Sequence, residues 1–159
     1  DTVQRTGARH LVTLINAATP VERPATIDAA RHLYIGVSDI AAPLDGHIMP
    51  GHAHVEALLA FVRDWDQVHP MVIHCWAGIS RSTAAAYITQ CALHPDLDEI
   101  GLARRLRQAS PSATPNPALI AAADDLLKRR GRMINAIHSI GRGVEAFEGT
   151  PFHFPAQDD

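Results

Sequence analysis

The stretch Val72-Ile73-His74-Cys75-Trp76-Ala77-Gly78-Ile79-Ser80-Arg81-Ser82-Thr83 carries the densest reactive chemistry in the chain. An apolar β-type run, Met71-Val72-Ile73, leads into His74 and Cys75. Five residues separate Cys75 from Arg81, and a helix-forming run follows over 83–92. A strand feeding a tight loop that opens a helix is an anion site: loop N–H groups point inward and the helix start adds partial positive charge. A cysteine at the mouth of that site is expected to be a thiolate, because the negative charge is stabilised there. A thiolate beside an oxyanion cradle is a nucleophile toward a bound phosphoryl group.

Each position then has a role. Cys75 attacks phosphorus, and the N–H groups of Trp76, Ala77, Gly78, Ile79, Ser80 and Arg81 bind the phosphate oxygens. Gly78 lets the loop turn where a side chain would clash. Arg81 offers a planar fork of donors to two oxygens and holds charge in the transition state. His74 is expected to hydrogen-bond loop backbone rather than substrate and to keep the thiolate poised. Ser82 donates to the sulfur, making it a better leaving group. Trp76 either walls the cleft or packs. A buried structural cysteine is the competing reading, but Gly78, Arg81 and His74 at these offsets weigh against it.

The run His74-Cys75-x5-Arg81-Ser82, with Ala77-Gly78 inside it, resembles the signature of the cysteine-based protein tyrosine phosphatases. The Ala-Gly pair and the hydroxyl after Arg81 are similar to the compact dual-specificity branch and its small bacterial relatives. Composition alone yields such a match about once in ten thousand chains of this length. The resemblance implies a general acid on a loop after a strand, which protonates the departing oxygen and later activates water. Leu33-Tyr34-Ile35-Gly36-Val37-Ser38-Asp39 fits that arrangement, so Asp39 is the expected acid. Asp45, on the same loop, is its competitor, and a turn cap is the plain alternative for Asp39. The family also tends to have a Pro/Asn loop packed near the phosphate loop. Asn116 would then support the catalytic loop from behind, or else simply cap the helix that follows. Residues 17–24 match the family's segment that shapes cleft depth.

The rest of the chain must position these groups. Its 159 residues suit one domain, taken as 1–147 with a C-terminal tail at 148–159. Strands are expected over 10–16, 31–37 and 71–74, the last as the central strand. Residues 3–8 and 26–30 suggest short helical turns. Helices are expected over 51–68, 81–93, from Pro95-Asp96 to about Leu106, 118–127, and, more weakly, 132–147 with Gly141 and Gly143 interrupting it. The three prolines of 110–117 require irregular chain. The order predicts an α/β fold, a small, mostly parallel sheet with helices on both faces, a phosphatase-like three-layer sandwich. The site is expected at the strands' carboxyl ends.

Net charge is -3 with a pI near 6.4, which argues against a broad nucleic-acid footprint. It leaves room for a local positive field around a phosphorylated protein or a small phosphoester. Cys75 and Cys91 are the two cysteines. A working thiolate fits a reduced, cytoplasmic setting better than a disulfide framework does, and Cys91 is expected to pack. No run reads as a transmembrane segment or a signal peptide, so no membrane insertion is expected. The first residue is Asp1 rather than Met, and a native N-terminal strand missing ahead of it is expected. His52 and His54 start a helix without a cysteine or paired carboxylates at ligand spacing, so they read as solvated residues. No metal or other cofactor is expected, because loop amides and Arg81 supply the positive field. Oligomeric state is not legible.

The expected activity is phosphomonoester hydrolysis through a phosphocysteine, on phosphotyrosine or with dual specificity. Residues 76–80 contain no Lys or Arg, which lowers the case for inositol phosphate or phospholipid substrates. A rhodanese-like sulfurtransferase uses a similar Cys loop but needs neither Asp39 nor the His-Cys pair. An inactive phosphate-binding module would have shed some of this chemistry, and here it is all present.

Overall fold

In the computed structural model, residues 1–155 are described. Three parallel strands form the sheet, in the order β2-β1-β3: β1 (His10–Ile15), β2 (His32–Gly36) and β3 (Met71–His74). Parallel strands need both faces covered, and they are. Val12, Leu14, Leu33, Ile35 and Ile73 face the main core. Leu11 and Val72 face a thinner layer built from Val3, Ala8 and Ile27. The thin layer includes α1 (Thr2–Thr6), which ends on the left-handed Gly7, and a single 3-10 turn, Ala29–Arg31, leads into β2.

The thick layer holds five helices: α2 (His52–Arg63), α3 (Arg81–Leu93), α4 (Glu99–Ala109), α5 (Pro117–Leu126) and α6 (Arg132–Ile140). The expected α/β class with helices on both faces of a small parallel sheet is what the chain adopts. α2 buries Val55, Leu58, Leu59 and Val62, the apolar stripe its spacing announces. α3 is buried nearly all round and runs through the centre of the layer.

Some expectations are corrected. β3 is not the central strand. β1 is, because both other strands pair with it and all six of its residues are buried. α2 stops at Arg63 rather than running to 68: Gln67 takes a positive φ, and the Trp65 indole N–H donates to the His69 carbonyl. α4 starts at Glu99, not at Pro95-Asp96, because Asp98 is its N-cap and accepts from the Gly101 N–H. α6 ends at Ile140, where Gly141 adopts φ 64°, so residues 141–147 are not helical. No helix among the described residues is long and apolar enough to cross a membrane.

Candidate active site

All three strands deliver their carboxyl ends to one place, as expected of an open parallel sheet. Asn16 follows β1, Val37 to Asp39 follow β2, and Cys75 follows β3. Arg81 ties the three ends together. Its Nη1 donates to Asn16 Oδ1 (2.8 Å) and to the Val37 carbonyl (3.0 Å). The residue is only 7% exposed, and its Nε is buried with no partner among the described residues. A buried guanidinium fixed through one nitrogen and orphaned at another is short of an acceptor.

The loop from Cys75 to Arg81 is anchored from outside through its carbonyls. Ala77 O accepts from Gly149 N–H (2.7 Å), Ile79 O from Thr114 N–H (2.8 Å) and Ser80 O from Asn116 N–H (3.1 Å). The Thr83 hydroxyl also donates to Ile79 O at 2.6 Å. Every peptide here is trans, so a carbonyl held outward turns the N–H of the next residue inward. That fixes the amides of Gly78, Ser80 and Arg81. Among the described residues, the amides of Ala77 and Ile79 gain no such anchor. Gly78 takes φ 71°, where glycine alone is unstrained.

Cys75 is half-buried at the loop's start. The Gly78 N–H donates to its Sγ at 3.3 Å, and the Ser82 hydroxyl lies 3.1 Å from the sulfur, where it can donate to a thiolate. Ser80 is the N-cap of α3, yet its hydroxyl does not cap the helix. It donates instead to Asp39 Oδ1 (2.6 Å), so among the described residues no side chain takes up the donors of the helix's first turn.

His74 reaches both the start of the loop and β1: its ring makes a hydrogen bond to the Cys75 backbone. Its Nε2 lies 2.7 Å from Thr13 Oγ1, and the same hydroxyl lies 2.8 Å from His32 Nε2. Burial pushes the His74 imidazole below its usual range, against a hydrogen bond to the Cys75 backbone that raises it. His32 is lowered by burial, then by the charges of His74 and Arg23. A fully buried threonine on β1 bridges one imidazole on β2 and one on β3.

Asp39 is exposed, but its Oδ1 is held twice, by Ser80 and by Asn116 Nδ2 (2.9 Å). Asp45 lies on an exposed turn and lines neither cleft beside the loop. The Asn116 side chain caps the helix that follows and bonds the 39–40 segment; the phosphate loop is reached only by its backbone N–H. Its Oδ1 accepts from the N–H groups of Ala118 and Leu119, capping α5, while its Nδ2 holds Asp39 and the Ile40 carbonyl. Trp76 does not pack. It is 77% exposed and lines a cleft of about 840 Å³ between β3 and residues 148–154. On the other side of Ser80, Asp39, Thr114, Asn116, Arg142 and Phe147 line a second cleft.

Sequence reasoning missed Asn16, Thr13, His32, Thr114 and Gly149. Asn16 had a usable signal, a polar residue directly after a buried strand. The others are joined to the site only by tertiary contact. Cys91 lies in the core, where burial pushes its thiol up to about 11. His52 pairs with Asp125 at 2.7 Å on the surface, and His54 accepts from the Gly51 N–H. Among the described residues no cluster of three or more His, Cys, Asp or Glu could hold a metal ion. No family model and no curated protein matches this chain.

Proposed function

We propose that this protein is a metal-independent phosphomonoesterase that works through a phosphocysteine, with phosphotyrosine or dual-specificity protein substrates as its class. One observation carries the reading. A cysteine sulfur, inward-turned amides and the unpartnered edge of a buried arginine converge where three parallel strands end.

The Cys75 thiolate attacks phosphorus in line with the leaving group. The phosphorus–oxygen bond breaks as the S–P bond forms, and Asp39 gives its proton to the departing oxygen. Oδ1 of Asp39 is already committed to Ser80 and Asn116, so Oδ2 is the oxygen that carries the proton. Arg81 and the loop amides hold the equatorial oxygens as charge spreads over them. Water then attacks the phosphocysteine, Asp39 takes its proton, and the S–P bond breaks to return the thiolate. The Ser82 hydroxyl stabilises the sulfur as it leaves.

Cys75→Ser is expected to abolish release of phosphate from para-nitrophenyl phosphate while tungstate still binds. Wild-type turnover in that variant would overturn the assignment. So would thiocyanate formation by the native protein from thiosulfate and cyanide without phosphatase activity.

A further inference from the structure

We infer that residues 148–154 form a strap that is part of the catalytic apparatus, with Gly149 as a positioning residue acting through the Ala77–Gly78 peptide on Cys75. This rests on the phosphatase reading and extends it to the segment that follows α6. The peptide between Ala77 and Gly78 is gripped on both sides. Outside, its carbonyl accepts from the Gly149 N–H at 2.7 Å. Inside, its N–H donates to the Cys75 sulfur at 3.3 Å. In a trans peptide these two bonds point in opposite directions, so each fixes the other. If the outer bond is removed, the plane is free to rotate and the sulfur loses a donor.

The approach is close. A Cβ on Gly149 would stand 2.5 Å from the Gly78 carbonyl oxygen and 3.2 Å from its carbon. Both are backbone atoms, which cannot swing aside as a flexible side chain does. The strap is also bolted beyond the loop. The Gln90 side-chain N–H donates to the Phe154 carbonyl at 2.6 Å, and Phe152 and Phe154 pack on the main core. Upstream, Gly143 N–H donates to Thr114 Oγ1 and Val144 N–H to the Pro111 carbonyl. The chain after α6 therefore passes first along the segment that anchors Ile79 and Ser80, then across Ala77. It ties the cradle's third carbonyl.

Gly149→Ala and, separately, Gln90→Ala test this in the full chain. The first drives the strap off the loop. The second loosens its far end without touching any loop atom. The readouts are iodoacetamide alkylation of Cys75 at mildly acidic pH, tungstate affinity and thermal midpoint. Alkylation reports Cys75 alone, since Cys91, the other cysteine, is sealed in the core. Gly149→Ala is expected to slow alkylation and weaken tungstate binding by about three- to tenfold, the scale of one ordinary hydrogen bond. Gln90→Ala is expected to shift both in the same direction by less. The thermal midpoint guards against general unfolding. Unchanged alkylation and tungstate affinity in both variants overturns the strap. None of these readouts requires turnover, so a wild-type protein that hydrolyses no phosphomonoester sinks the phosphatase reading without deciding this one.

Discussion

At the scale of single residues, the site depends on atoms that already have partners and on atoms that do not. Arg81 spends Nη1 on Asn16 and Val37 and keeps a buried Nε unspent. Asp39 spends Oδ1 and keeps the other oxygen. That division makes a prediction about leaving groups. Asp39→Asn preserves an oxygen for Ser80 and Asn116 to donate to, but it has no proton to give. Turnover on phenyl phosphate, whose leaving oxygen needs protonation, is expected to fall about a hundredfold. Turnover on para-nitrophenyl phosphate, whose anion leaves readily, is expected to fall much less. Equal losses on both would make Asp39 a structural residue. Cys75, Arg81, Ser82 and Asp39 were legible because each has a distinctive chemical type at a fixed offset from its neighbours or from a strand end. Thr13 and His32 were not, because their meaning comes from what lies across the sheet.

At the scale of elements, the segment 110–117 does more than connect α4 to α5. Its backbone holds Ile79 and Ser80, and its last asparagine both starts α5 and holds the candidate acid. The two roles of Asn116 are separable. Asn116→Ser keeps a short side-chain oxygen for the cap but loses the amide that reaches Asp39. Asn116→Ala loses both. The alanine variant is expected to be less stable than the serine variant by about 1 kcal/mol, the usual worth of a cap. Both variants are expected to lose turnover on poor leaving groups alike, because both release Asp39. Thermal melts and the leaving-group series check the two halves. A serine variant with native turnover would reduce Asn116 to a cap. Elements whose pattern is local, such as α2 with its apolar stripe or α3 with its all-round burial, could be read directly. The position of β3 in the sheet could not, since strand order is a property of pairing and a four-residue apolar run looks the same at the centre or the edge. The end of α2 was misread because its apolar spacing continues to Trp65 although the helix has already ended at Arg63.

At the scale of the whole molecule, buried titratable groups set the pH range of the fold. His10, His32 and His74 are all held below their ordinary value of 6.5, each chiefly by burial. His10 shows the cause most plainly. Its Nδ1 is buried without a hydrogen-bond partner among the described residues, and its ring meets Phe61 edge-on at 5.8 Å and Trp65 at 6.5 Å. Arg31 lowers it further, while Asp66 and Asp64 oppose the shift. When the folded value is depressed, the unfolded chain binds more protons below pH 6.5. The stability these groups contribute is therefore complete above that pH and is lost as pH falls through the folded values. Glu99 adds a second step. Burial alone would raise it, but its backbone hydrogen bond and the guanidinium groups of Arg132 and Arg129 hold it below 4.5. Its contribution persists above 4.5 and is lost below. The thermal midpoint is expected to be level above about pH 6.5, to decline below it, and to fall again below about 4.5. His10→Phe removes one of the three imidazoles and an unpaired buried nitrogen while keeping the contact with Phe61. The slope of unfolding free energy against pH is then expected to flatten by up to about 1.4 kcal/mol per unit, the worth of one proton, in the window just under 6.5. An unchanged slope in His10→Phe would mean that His10 binds its proton equally well in the folded and unfolded chains despite its apolar surroundings.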